Sequence, residues 1–181
     1  MGKDMSRHHA HQHGLGPHRG FTVIELMVTV AVMAILAAIA APSMTGLINS
    51  SRLSGQAGEL TSALQLARSE AIRRNSRVTV CPSSDGTSCA ASTAWTRWIV
   101  LGAANTLDGA EVIRDNTAAA SLQVSGPSAG IIFRPSGLID AQQALTVCMP
   151  TTKPVENRQV ITVMISGSTN IAKVNGGGSC P

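Results

Sequence analysis

The sequence predicts an α+β protein: a long N-terminal helix, transmembrane in its first half, packed on an antiparallel β-rich C-terminal domain. Three observations predict it. Phe21 to Ala41 is an apolar run broken by one charge, Glu25. Behind it, Leu53, Ala57, Leu60, Leu64, Ala67 and Ala71 recur at spacings of 4, 3, 4, 3 and 4, which is one stripe of an amphipathic helix. From Arg77 on, the pattern shortens to β-type runs separated by Gly- and Ser-rich turns. The boundaries that follow are a leader over 1–20, a transmembrane helix over 21–41, an amphipathic continuation over 42–75 and a β-rich domain over 76–181.

The apolar run has 21 residues. As a helix it spans about 30 Å, the thickness of a bilayer's hydrocarbon core. Lys3, Arg7 and Arg19 precede it. The positive-inside rule keeps them cytoplasmic and sends the rest across the membrane in a single pass. A plain signal peptide, cut near Ala38–Ala40, is the competing reading. The run is long for that, and a carboxylate sits badly in such a segment. At membrane depth Glu25 costs on the order of 3 kcal/mol and so calls for a partner.

Composition bounds the chemistry. The net charge of +4 falls to +2 without residues 1–20, with 11 basic against 9 acidic side chains left. That carries no general case for nucleic acid. All five His (His8, His9, His11, His13 and His18) precede Gly20. Loss of the leader would remove every imidazole, and with it most hydrolase, nuclease and zinc chemistry. The cluster "HHAHQH" reads as a solvated segment that is discarded. Met5 is a second candidate start. The acids are scattered, and Asp108, Glu111 and Asp115 read as loop and edge charges, not as a general acid–base pair. No enzyme, cofactor or metal is expected.

In the helix, Pro42 removes a backbone donor just after the apolar run. Gly46, Gly55 and Gly58 weaken the segment that follows by about 1 kcal/mol each. The helix is expected to end at Arg74–Asn75, since Asn tolerates the left-handed cap. Arg68, Arg73, Arg74 and Arg77 cluster there. They read as a favourable dipole interaction on a solvated face, with contact to an anionic surface as the functional alternative.

Eight strands are expected: Arg77–Cys81, Thr96–Leu101, Glu111–Arg114, Leu122–Val124, Ile131–Phe133, Leu145–Cys148, Val160–Ile165 and Ile171–Val174. Trp95 and Trp98 read as core. Four Cys (Cys81, Cys89, Cys148 and Cys180) contain no CxxC. An even count in a small exported domain favours two disulfides. Of three pairings, Cys81–Cys89 with Cys148–Cys180 is favoured, because it closes a short loop and ties back the C-terminal end.

The segment "RGFTVIELMVTVAVMAILAAIAAPS" resembles the N-terminus of type IV pilins and type II secretion pseudopilins. The segments "RSEAIRRNSRVTVCPSSDGTSC", "GIIFRPSG" and "LTVC" resemble the FimT/GspH group of minor pilins. The resemblance implies cleavage after Gly20 by prepilin peptidase and N-methylation of Phe21. It also implies pairing of Glu25 with the terminal amine of a neighbouring subunit, an ion pair that low dielectric strengthens. It implies a filament-core role for the helix over 21–41, anchoring in the inner membrane with the C-terminal domain periplasmic, and a low-abundance filament subunit near the tip that helps prime assembly. A type IV pilus subunit of FimT/FimU type is favoured over an H-type pseudopilin of a type II secretion system. Some FimT members bind DNA through a Gly-Arg-x-Arg motif. Asn170, Ile171 and Lys173 stand in its place here. The residual DNA-binding candidates are Lys173, Lys153 and Arg158, with no aromatic residue near them in sequence to stack bases.

Overall fold

The computed structural model describes residues 20–103 and 110–181, with backbone alone at 40–43. The leader with its five His, and Asp108 with its turn, lie outside the described residues. The chain divides into two units, Met1–Ala40 and Ala41–Pro181. One helix, α1 (Val23–Arg74), contributes to both.

In the first unit, every residue from Phe21 to Ile39 is exposed. Apolar residues occupy nearly all positions, so no stripe exists to turn inward. Among the described residues no single helix is long and apolar enough to cross a membrane, but Val23–Ile39 and Met44–Arg74 meet that test together. Val23–Ile39 alone extends roughly 25 Å at the helical rise.

In the second unit, α1 has one buried face. Leu53, Ala57, Leu60, Ala63, Leu64, Ala67 and Ala71 are at most 1% exposed. The helix stops where Asn75 adopts φ 49. The Ser76 N–H reaches the Ala71 carbonyl and the Asn75 N–H reaches that of Ile72, both at 3.2 Å. That pair of bonds is a Schellman cap.

Among the described residues eight strands follow: β1 (Val78–Pro82), β2 (Arg97–Gly102), β3 (Glu111–Thr117), β4 (Gln123–Ser125), β5 (Ile131–Phe133), β6 (Gln143–Cys148), β7 (Arg158–Val163) and β8 (Thr169–Val174). They form two four-stranded sheets, β3-β2-β1-β5 and β4-β6-β7-β8. Every pairing is antiparallel. The Trp95 N–H donates to the Val124 carbonyl at 2.8 Å and links the segment before β2 to the second sheet. Val78 and Val80 of β1, Leu145 and Val147 of β6, and Ile161 and Val163 of β7 join the helix stripe, Trp95 and Trp98 in one core.

Strand ends differ from expectation in every strand but β5; β6 begins at Gln143 and β7 at Arg158, each two residues early, because Gln143 pairs with Val163 and Arg158 with Cys148 and Val174. β3 runs on to Thr117 because Asp115, Asn116 and Thr117 pair with Ile99, Trp98 and Arg97. It is a largely exposed edge strand, and with neither face buried it leaves no alternating pattern to read. A bulge at Ile113 shifts its register, with Arg114 opposite Val100 and Val112 opposite Leu101. β7 stops at Val163 because the Gly167 N–H closes a turn onto the Met164 carbonyl at 2.7 Å. β8 accordingly begins at Thr169.

Polar side chains fasten α1 to both sheets. Gln56 Oε1 accepts the Ala119 N–H at 2.8 Å. Asn116 Nδ2 donates to Glu59. Gln159 Nε2 donates to Ser54 Oγ at 3.0 Å, and Gln65 Nε2 to Thr169 Oγ1 at 3.1 Å.

Candidate functional site

Thr22 starts α1. Its Oγ1 accepts the Glu25 N–H at 3.3 Å and its carbonyl accepts the Leu26 N–H at 3.2 Å. Thr-Val-Ile-Glu therefore has the spacing of a capping box, with the acid at the third helical position. A carboxylate in the first turn also sits well with the positive end of the helix dipole. Gly20, Phe21, Thr22 and Glu25 line one open recess at this end. Phe21 is 82% exposed. Among the described residues no ion pair engages Glu25. A Cβ at Gly20 would meet nothing within 4 Å. The fold of this chain gives no steric reason for that glycine.

The basic cluster at the other end of α1 is mostly used internally. Arg73 and Arg74 both bind Glu70, at 2.5 and 2.7 Å, and Arg74 reaches Glu111 at 2.5 Å. The Arg73 hydrogen bond, then that of Arg74, lowers the Glu70 carboxyl to about 2. Glu111 first, and Glu70 next, raise the Arg74 guanidinium. Two cations face two anions here, which leaves little net field for a polyanion. Arg68 and Arg77 are the exceptions and have no ion-pair partner among the described residues.

The DNA-binding candidates are spread out. Lys173 on β8 opposes Gln159 on β7, and Arg158 opposes Val174. Opposed residues share a face and successive residues alternate. Lys173 thus lies on the face of Gln159, which reaches the helix, and Arg158 lies on the other. Lys153 is in the β6–β7 loop, where its carbonyl accepts Asn49 Nδ2 at 2.8 Å. The structure does not bring Lys173 and Arg158 onto one surface.

Cysteines close two loops: Cys81–Cys89, eight residues apart, and Cys148–Cys180, 32 apart. Inside the first loop Asp85 accepts the N–H groups of Thr87 and Ser88 at 2.8 and 2.9 Å. Those two bonds hold its carboxyl well below the usual carboxylate range. Behind the second loop lies Asn157, fully buried. Its Nδ2 donates to the Met149 carbonyl and its Oδ1 accepts the Gly176 N–H, both at 2.8 Å. Sequence reasoning gave Asn157 no role. A lone Asn in a polar loop carries no signal that it will be the buried clasp of the tail. Among the described residues no group of three or more His, Cys, Asp or Glu side chains could hold a metal ion.

Comparison with known proteins adds the following. Residues 56–169 match the family described as type II transport protein GspH, and residues 16–41 match the prokaryotic N-terminal methylation motif. No curated protein matches the chain. Among solved structures the fold is similar to the type IV minor pilin FimU of Pseudomonas aeruginosa. The identity is 20% over 68% of this chain and 90% of that one, with a TM-score of 0.53. It is also similar to the minor pseudopilin EpsH from the type 2 secretion system of Vibrio cholerae. There the identity is 17% over 67% of this chain and 97% of that one, with a TM-score of 0.51. At these identities the likeness is one of fold.

Proposed function

The chain belongs to the GspH family of type II transport proteins, and from that membership we propose that it is a minor type IV pilin of FimT/FimU type that helps prime pilus assembly. Proteins of this class are structural subunits that assemble with other pilins, and this chain is one of them, not an enzyme. In the proposed sequence of events, prepilin peptidase cuts after Gly20 and methylates the new amine of Phe21. Phe21 to Ala41 then anchors the subunit in the inner membrane, with the β-rich domain on the periplasmic side.

The observation that carries the filament-subunit part of this reading, common to type IV pilins and pseudopilins, is the start of α1. Glu25 sits one turn behind Phe21, exposed and without an ion-pair partner among the described residues. A carboxylate left unpaired in lipid is costly. The positive amine of a neighbouring subunit would neutralise it, and low dielectric would make that attraction strong. Assembly would relieve a cost that the isolated subunit bears.

A second reading is an H-type minor pseudopilin of a type II secretion system. The family's own description and the likeness to EpsH favour it. Processing and the role of Glu25 are the same in both. DNA uptake at a pilus tip is a third reading, and the separation of Lys173 from Arg158 weighs against it.

Glu25→Ala in the full-length chain tests the proposal. The expected result is unchanged processing and accumulation, with incorporation into sheared filaments reduced at least tenfold. Normal incorporation would refute the charge-pairing account.

A further inference from the structure

We propose that Asn175 is a deamidation site, held silent while the C-terminal tail is clasped and opened to reaction when the tail is released. The site is independent of the filament reading and lies in a part of the molecule that reading does not use.

The tail reads Val-Asn-Gly-Gly-Gly-Ser-Cys over residues 174–180, directly after β8. An Asn followed by Gly is prone to a reaction of the chain with itself, because a glycine leaves the backbone nitrogen between the two residues unshielded by a Cβ. In that reaction the Gly176 nitrogen attacks Cγ of Asn175. A C–N bond forms to Cγ and the bond from Cγ to Nδ2 breaks. Ammonia leaves, carrying the proton of the attacking N–H. Water then opens the cyclic imide at either of its carbonyls, giving aspartate or isoaspartate. No oxidant and no reactant other than water is consumed.

The fold itself requires the glycine. A Cβ at 176 would stand 2.7 Å from Asn157 Oδ1 and 3.0 Å from the Ser179 carbonyl oxygen. Only a residue without a side chain brings the tail this close to the buried Asn157. The clasp therefore places a reactive Asn-Gly step in a turn where Asn175 is exposed to water.

The same clasp holds the reaction off. The Gly176 N–H, the nucleophile, donates to Asn157 Oδ1 at 2.8 Å, a bond that favours the nitrogen keeping its proton. Asn157 is fully buried and anchored by its own Nδ2 on the Met149 carbonyl at 2.8 Å, so the acceptor stays in place. Cyclisation also needs main-chain freedom around Gly176, and the chain is tied on both sides of it. Asn175 Oδ1 accepts the Gly177 N–H at 2.9 Å. The Gly176 carbonyl accepts the Ser179 N–H at 3.1 Å and Ser179 Oγ at 3.0 Å. Cys180 is bonded to Cys148 of β6.

Release acts on all of these restraints together. Without the Cys148–Cys180 bond, or without Asn157, the tail is held by a few exposed hydrogen bonds of the kind that open locally. The isoaspartate product would make that opening permanent. Its main chain runs through an extra methylene, so Gly176 and Cys180 no longer meet Asn157 and Cys148 in the same register.

The test follows conversion of Asn175 by peptide mass spectrometry in full-length oxidised chain held in mildly alkaline buffer. Asn75, in the exposed helix cap and followed by Ser76, reports global opening in the same samples. Reduced chain in denaturant sets the unrestrained rate, and it is expected to convert Asn175 at least roughly tenfold faster than the native chain does. Asn157→Ala, and separately Cys148→Ser with Cys180→Ser, are expected to bring Asn175 close to the unrestrained rate while Asn75 stays at its native rate. Native chain that converts Asn175 as fast as the denatured chain overturns the proposal. So does a native rate at Asn175 in both variants, or an acceleration at Asn75 equal to that at Asn175.

Discussion

The two halves of α1 differ in where they find their packing partners. From Phe21 to Ile39 every residue is exposed although nearly all are apolar. From Leu53 to Ala71 a single stripe is buried on the sheets and the remaining positions are mostly polar or small. The second half solves its burial within the chain. The first half cannot, because a helix apolar on every side needs lipid or other helices around it. Their two carboxylates repeat the contrast. Glu70 has Arg73 and Arg74 beside it. Among the described residues Glu25 has a hydroxyl cap at its backbone N–H and no ion pair. One half is finished by folding; under the proposed function the other would be finished by assembly.

The largest effect expected from that contrast is in packing. Leu60→Ala, in the buried stripe, should destabilise the domain by about 2–5 kcal/mol. Leu36→Ala, in the first half, should leave the domain's melting transition where it is. Protease resistance of the β-rich domain in full-length chain, measured against temperature, checks both. Equal losses would mean that the first half also packs on the domain.

A smaller effect is expected at the paired carboxylate. The Glu70 carboxyl titrates at about 2 in the folded chain against an ordinary 4.5. Its stabilisation is therefore present above the ordinary value and is lost as pH falls through the folded one. Glu70→Gln should cost roughly 1 kcal/mol or less at neutral pH, since the pair is near the surface. That difference should shrink between about pH 4.5 and 2. Thermal unfolding of both chains across this range reads it. A difference constant with pH would mean that the side chain acts through packing alone.

Much of this was legible in the sequence for local reasons. The helix stripe, the Asn75 cap and the existence of eight strands all follow from periodicity and turn chemistry within a few residues. Trp95 and Trp98 are fully buried, as large aromatic side chains in a lightly aromatic chain suggest. Strand order was not legible, because β5 beside β1 and β4 beside β6 are non-local choices. The end of β3 was hidden by its polar, exposed residues. The roles of Gln56 and Asn157 were hidden for one common reason. Each depends on a backbone group brought from far along the chain, at Ala119 and Gly176. At the candidate site the residues Gly20, Phe21 and Glu25 could be named from the motif. The proposed juxtaposition of Glu25 with a second subunit's amine would be a property of the filament and not of one chain.

The most direct test is the intact mass of the chain recovered from its native membrane, with fragmentation from the N-terminus. The expected result is a chain that starts at Phe21 and carries one extra methyl group on its terminal amine. A start near Pro42 would contradict it, leaving a disulfide-tied β domain without the helix half that assembly requires.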